Sequence, residues 1–474
     1  MSTLLNDMHS QLNATLVAEI CHPETCEALR DIIRNAVANG MKISVGGGRH
    51  AMGGQQFAGS SVHIDMTSLD KVIDVNHERG LLHIGAGACW PKIIEESHRM
   101  EFFPGKSWAI RQKQTGVDNV TLGGSISANA HGRGLRMQPM GDDIEDLTLL
   151  DAEGRLLRCS RTENSELFSL VIGGYGLFGI IYSATLRLTP RLRVRRLVDI
   201  IDLDDAMNAV YRRAAEGSLY GDFQFIIDPS DSGFLRRGVF ASYKSVESGE
   251  SEGMKENSDL SPNAWLELLR LAHEDKAKAF RIYAQHYVAT DGNLYWSDTM
   301  QLSTYIPSYA EYLEANRPVD PDNDVKETLM IGEHYIPPES LLTFMHLARE
   351  ILIHHGAELI YGTIRSIKRD TVSFMPWAKN DFACVIFNLR TRHNEKGVQR
   401  TADTFRALID ASVNMGGSFF LTYHRYASTA QVQGCYPLFQ EWLRKKIQYD
   451  PGELFISDWY LHYRDAFHEG EKTE

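Results

Sequence analysis

The sequence predicts an α+β protein of more than one domain, and three observations predict it. The chain has 474 residues, more than one hydrophobic core organises. Short apolar, β-branched runs alternate with stretches whose apolar residues recur at helical spacing. Two glycine-rich loops, Gly46-Gly-Gly-Arg-His50 and Gly123-Gly-Ser-Ile-Ser-Ala-Asn-Ala-His131-Gly132, interrupt that alternation in the first third of the chain.

Taken in order, residues 24–39 read as a helix that starts after Pro23 and stops at Gly40, since Pro suits a helix start and Gly its end. Strands are predicted over 42–45, 61–65, 72–76 and 81–85, then a helix over 90–100. Further strands fall at 146–151, 155–160 and 180–188, with Ala152-Glu-Gly154 turning the first of these back on the second. The texture changes after Pro190. A helix is predicted over 204–216 and strands over 221–227 and 238–243. Residues 245–262, rich in Ser, Glu and Gly, read as a surface loop. Amphipathic helices are predicted over 338–355 and 398–415, with strands between them at 358–367 and 382–390. Glu333-His334-Tyr335 reads as strand, and a last helix covers 438–448.

Composition excludes some function classes. Acidic residues number 62 against 49 basic ones, giving a net charge of −13. A nucleic-acid binder needs a basic face, so none is expected here. Hydrophobic residues make up 43% and charged residues 23%, a soluble globular balance. No apolar run reaches the ~20 residues of a membrane span, and residues 1–15 lack a signal-peptide pattern. The six cysteines, Cys21, Cys26, Cys89, Cys159, Cys384 and Cys435, have neither zinc nor disulfide-framework spacing. A cytoplasmic protein with reduced thiols and no metal site is expected.

Glycine lets a backbone turn sharply and lets a ligand approach closely, so each loop suits a phosphate or pyrophosphate. Two of them suit a long dinucleotide clasped from both sides. At this point the motifs join into a pattern. Pro23-Glu-Thr-Cys-Glu-Ala-Leu-Arg30 leads into the first loop. Ala86-Gly-Ala-Cys-Trp90, Val120-Thr-Leu-Gly-Gly124 through His131-Gly132, Gly173-Gly-Tyr-Gly-Leu-Phe-Gly179, Arg187-Leu-Thr-Pro190 and Tyr449-Asp-Pro-Gly-Glu-Leu-Phe455 follow in order. The chain resembles the vanillyl-alcohol-oxidase type of FAD-linked oxidoreductase, with its PCMH-type FAD-binding fold. Ile364-Arg-Ser-Ile-Lys-Arg369, Phe382-Ala-Cys384-Val-Ile-Phe387 and Gly416-Gly417 before His424-Arg425 look nearest to the sugar-lactone, alditol and decaprenylphosphoryl-ribose oxidase branch.

The resemblance implies a FAD domain over 1–190, an α+β cap over 191–435 that covers the flavin ring, and a segment, 436–474, returning to the FAD domain. It places FAD against Gly46, Gly47, Gly48, Arg49, His50, Ala51, Met52, Val117, Asp118, Thr121, Gly123, Gly124, Ser127, Asn129, His131, Gly132, Gly179, Ile180 and Ile181. His50 stands where relatives bond the flavin covalently, although Ala51-Met52 replaces their common Ser-Tyr. His131 and His424 are the candidates for proton handling. Arg425 or His424 replaces a family Lys as the cation that steadies reduced flavin. Arg365, Lys368 and Cys384 are candidates on cap strands. Side chains alternate along a strand, so Arg365 and Lys368 cannot both face the flavin unless the strand bulges. Relatives often carry a carboxylate two positions before this Arg, where Thr363 stands here.

The implied reaction oxidises a CH–OH group of a sugar, polyol, lactone or related small alcohol. Hydride passes to flavin N5, and oxygen or another acceptor takes the electrons. Two enzymes of the same fold compete with this expectation. A D-2-hydroxyacid dehydrogenase often uses a metal held by a His pair, but the adjacent His354 and His355 point apart on a helix. A berberine-bridge-like oxidase often has a cysteinyl flavin bond, where Val117-Asp-Asn119 offers no Cys. A rival of another class is a non-catalytic FAD-binding scaffold.

Overall fold

A computed structural model describes residues 2–247, 255–256, 259–303 and 325–471. The fold is α+β, as the alternation of patterns predicts. The first helix, Cys26–Ala38, begins at Thr25, whose hydroxyl accepts the Ala28 N–H at 3.1 Å and satisfies one of the unpaired amides of the first turn. It buries Leu29, Ile33 and Ala36 against a three-stranded parallel sheet, in the order Glu19–Cys21, Val62–Asp65, Ile43–Gly46. The first glycine loop leaves the end of that last strand. A five-stranded antiparallel sheet follows, ordered Leu156–Ser160, Ile144–Leu150, Ile180–Arg187, Leu81–Gly85, Val72–Asn76. The second glycine loop runs into the short helix Leu122–Ala128, capped by the Thr121 hydroxyl.

The middle of the chain builds one eight-stranded sheet. Its order is Leu294–Trp296, Arg193–Asp202, Arg237–Val246, Ser218–Phe225, Leu359–Ile367, Phe382–Arg392, Glu327–Ile336, Ser418–Phe419. One face packs on the helices Leu203–Ala215, Leu341–His354 and Glu395–Asn414 around Phe344, Phe387 and Phe405. The other face looks toward the flavin-loop side and the helices Pro262–Glu274 and Lys276–Ala289. Residues paired directly across neighbouring strands share a face. Arg365 pairs with Cys384, and Cys384 with Tyr335.

The chain then returns. Ile43 N–H donates to Leu454 O at 2.7 Å, and Ile43 and Phe455 form a parallel bridge. The helices Phe439–Tyr449 and Asp458–Glu471 place Trp442, Trp459 and Tyr463 in the same core as Trp90 and Phe178.

Several elements differ from the expectation. Arg193–Asp202 is a strand paired over its whole length with Arg237–Val246, although its charges hide the pattern. The helices Pro262–Glu274 and Lys276–Ala289 were not expected. Of the surface loop expected over 245–262, residues 248–254 and 257–258 lie outside the described residues. No helix among the described residues is long and apolar enough to cross a membrane.

Candidate active site

The two glycine loops meet. A Cβ on Gly47 would lie 2.1 Å from the Thr121 hydroxyl oxygen, and one on Gly48 would lie 2.2 Å from Asn119 O. Only glycine permits this approach. Between the loops and the cap sheet lies a cavity of ≈ 620 Å³, within the usual range for ligand sites. Of the residues expected to hold FAD, Gly46 through Ala51, Val117, Thr121, Gly123, Gly124, Ser127, His131 and Gly179 through Ile181 line it. Met52, Asp118, Asn129 and Gly132 do not. Met52 is buried behind the loop, and Asp118 accepts from the Lys113 ammonium at 2.8 Å. Asn129 is a fully buried brace in a left-handed conformation, φ 47°. A Cβ on Gly132 would meet Lys113 O at 2.7 Å.

The wall also carries Gln55, Gln56, Gln114, Thr115 and Tyr175, which sequence patterns did not single out. Gln56 Oε1 and Thr115 Oγ1 are buried with no hydrogen-bond partner. Buried polar atoms are rarely left so, and a polar ligand between the loops supplies what they lack. The residues present fit FAD.

His50 lines this cavity. Its Nε2 faces Asn119 O at 3.2 Å, and a carbonyl only accepts, so the ring proton sits on Nε2. The lone pair is then on Nδ1, 2.9 Å from His9 Nε2. Burial, with His9 beside it, lowers the His50 pKa to about 3, so the ring is neutral at pH 7.

Across the cavity, three separate segments bring His131, Glu333 and Cys384 together, with their ligand-type atoms within 4.8 Å of one another. This grouping is invisible in the sequence, where Glu333 reads only as part of a strand. Glu333 Oε2 accepts from His131 Nε2 at 3.3 Å and from the Tyr335 hydroxyl at 2.9 Å. Tyr423 hydrogen-bonds the same carboxylate. The other nitrogen of His131 faces Gly132 O at 3.0 Å. Both ring nitrogens of His131 thus face oxygen acceptors. Burial opposes the Glu333 charge, but His131, Arg365 and Tyr335 outweigh it and hold its pKa below the ordinary value. The carboxylate is ionised at neutral pH. Burial, then Glu333, pushes the Cys384 thiol well above its usual range. It stays a neutral thiol 3.9 Å from His131 Nε2.

The cap strand sorts its cations as strand alternation requires. Arg365 lines the cavity, 7% exposed, and its Nε has no hydrogen-bond partner. Lys368 lies outside, paired with Asp381 at 2.5 Å. Thr363 does not leave the site without the carboxylate that relatives carry nearby. Its hydroxyl lies 3.3 Å from Asp222, which comes from the neighbouring strand and lines the cavity.

His424 and Arg425 are not brought to the site. His424 is buried on the far side, stacked on Phe405 at 4.7 Å, and burial, with Arg406 nearby, lowers its pKa to about 3. Arg425 lies beside Asn13. The preceding residue, Tyr423, lines the cavity instead.

A family model described as an FAD binding domain matches residues 17–160. The chain is similar to an uncharacterized oxidoreductase, ORF5 in the fasciation locus of Rhodococcoides fascians, at 31% identity over 172 residues, 35% of this chain and 36% of that protein. It is also similar to cytokinin dehydrogenase 1 of Arabidopsis thaliana, at 28% identity over 193 residues, 39% of this chain and 32% of that protein. Cytokinin dehydrogenase 9 of Oryza sativa subsp. japonica matches at 27% over 192 residues, 39% of this chain and 36% of that protein. The chain spans about a third of the length of the curated relatives it matches. The matched stretch contains both glycine loops, and the eight-stranded sheet contributes Glu333, Arg365 and Cys384.

Proposed function

We propose that this chain is an FAD-dependent oxidoreductase acting on a CH–OH group. The observation that carries the proposal is the buried Glu333–His131 pair, which joins the eight-stranded sheet to the end of the second FAD loop at the cavity wall. FAD, when bound, supplies a two-electron acceptor for the hydride and passes the electrons to oxygen or another acceptor.

The chain's own groups do the rest. Glu333, kept ionised, accepts the hydroxyl proton of the substrate. Tyr335 and His131 hold its carboxylate in place. The Arg365 guanidinium, with a donor to spare, stabilises negative charge as it develops in the cavity. Tyr335 stacks on Trp377 at 4.3 Å, and with Phe420 these rings close the site to water. His50 is the residue proposed to bond the flavin covalently, through Nδ1.

A second reading, oxidation of a carbon bound to nitrogen, is favoured by the relatives named cytokinin dehydrogenases. The test is an absorbance spectrum of the purified protein, acid precipitation, then anaerobic titration with alcohols and amines. Yellow colour in the pellet supports the His50 bond, and colour in the supernatant removes it. Bleaching by alcohols but not amines supports the first reading, and the converse supports the second. A colourless protein that takes up no FAD overturns both.

A further inference from the structure

We infer that the substrate is an amphiphile, with a polar head at Glu333 and Arg365 and an apolar body lying under the helices Pro262–Glu274 and Lys276–Ala289. This rests on the function proposed above and adds the second half of the substrate to it.

The cavity does not end at the polar groups. It continues beneath the two helices, which turn back on each other at Asp275, where the Asp275 side chain caps the second by accepting from Lys278 N at 2.9 Å. The wall there is built from Leu268, Leu269, Ala272, Ala279 and Phe280, facing Ile360 of the sheet. Ala272, Ala279 and Ile360 belong to one apolar cluster, and Leu268 to the next. Small side chains at Ala272 and Ala279 leave room where larger ones would fill the gap between helices and sheet.

The cation at this end is already engaged. Arg196 donates to the Tyr243 hydroxyl at 3.1 Å and to Thr290 Oγ1 at 2.7 Å. The rings of Tyr287 and Tyr295 cover it at 4.7 and 4.3 Å. Arg365 Nε is buried without a partner at the Glu333 end, and Asn388 Oδ1 is unpartnered on the same sheet face, while at the helix end the unpartnered polar atoms are Trp265 Nε1 and the Tyr295 hydroxyl, both carried on large aromatic rings. A small polyol satisfies the polar end only and leaves the apolar wall wet. A carbon chain or ring attached to the oxidised head removes that wall from water.

Burying a methylene gains ~0.8 kcal/mol, about fourfold in affinity. The experiment is isothermal titration calorimetry of the FAD-loaded protein with 1-butanol, 1-hexanol, 1-octanol and xylitol. Affinity is expected to rise about fifteenfold for each two carbons, with a negative heat-capacity change, while xylitol shows no such gain. Ala279→Trp fills the chamber and is expected to abolish the chain-length dependence without changing FAD content. Leu269→Asn, which makes the wall polar without filling it, serves the same purpose should the larger residue prevent folding. Alkanol affinity that stays flat with chain length in the FAD-loaded wild type overturns the inference, as does a dependence that survives both variants. FAD loading is read separately by absorbance. Chain-length-dependent binding in a protein that refuses FAD would overturn the oxidoreductase reading and leave the chamber standing.

Discussion

At the residue scale, the site turns on which member of a neighbouring pair faces the cavity. The sequence pointed to His424 and Arg425 as the replacements for a missing lysine, yet Tyr423 lines the cavity and His424 stacks on Phe405 behind it. A shift of one residue sends a side chain to the opposite wall, and no local pattern around Gly416-Gly417 fixes that phase because the strand ends at Phe419 and a turn follows. Glu333 was legible as strand and not as a site, since its partners lie about 200 residues earlier and 50 later. The glycine loops were legible because their function constrains the local backbone itself. Two expectations follow from these residues. Glu333→Gln keeps the size of the side chain and removes its charge. Stopped-flow reduction of the flavin by substrate is expected to slow by about 10²–10⁴-fold, with FAD content unchanged; an unchanged rate would remove Glu333 from the proton path. Gly47→Ala drives a methyl into Thr121 and is expected to abolish FAD retention after gel filtration. Gly59→Ala, where a Cβ meets nothing within 4 Å, is expected to leave retention intact.

At the scale of elements, the link between the short helix Leu122–Ala128 and His131 is braced from the cap. Asn129 ends that helix in a left-handed conformation. Its amide donates to Asp370 at 2.8 Å, its carbonyl oxygen accepts from Gly141 N at 2.9 Å, and its backbone carbonyl accepts from Trp377 Nε1 at 3.0 Å. Burial raises the Asp370 pKa, partly offset by Ser373 and backbone amides. Asn129→Ala leaves Asp370 and Gly141 short of partners and adds left-handed strain, so a loss of about 3 kcal/mol is expected in urea unfolding. A loss below 1 kcal/mol would show that the brace is redundant. Elements with a clean apolar period, such as Cys26–Ala38 and Glu395–Asn414, fell within a few residues of expectation. Arg193–Asp202 did not, because three arginines in its first four positions mask the alternation, and Lys276–Ala289 did not, because it is apolar on several sides.

At the scale of the whole molecule, buried neutral histidines tie stability to pH. Burial lowers His63 to about 4, and His334 and His424 to about 3. Below the unfolded value near 6.5 the unfolded chain binds protons that the native one refuses, so stability falls as pH drops from about 6.5 toward 4. Each group contributes about 1.4 kcal/mol per pH unit in that window. Glu333 has the opposite chemistry and the same sign. Its depressed pKa adds stability above the unfolded carboxyl value, and that stability is lost as pH falls through the folded one. Urea midpoints at pH 7, 6 and 5 are expected to decline with increasing steepness, and His424→Phe is expected to flatten the decline by one group's share. A pH-independent midpoint would mean that these rings are hydrated.

The parallel bridge between Ile43 and Phe455 has a consequence for how the protein is made. The strand that launches the first FAD loop has one neighbour, Val62–Asp65, available within seconds of its synthesis. The other side waits for roughly 400 residues, or roughly 20–80 s of ribosomal elongation at ~5–20 residues per second. Until then the flavin-binding half carries an open sheet edge and lacks Trp442 and Trp459 from its core. The cap, whose sheet is drawn almost wholly from the intervening chain, is complete before the half that precedes it. The interval before the last segment docks is when this chain most needs protection from aggregation.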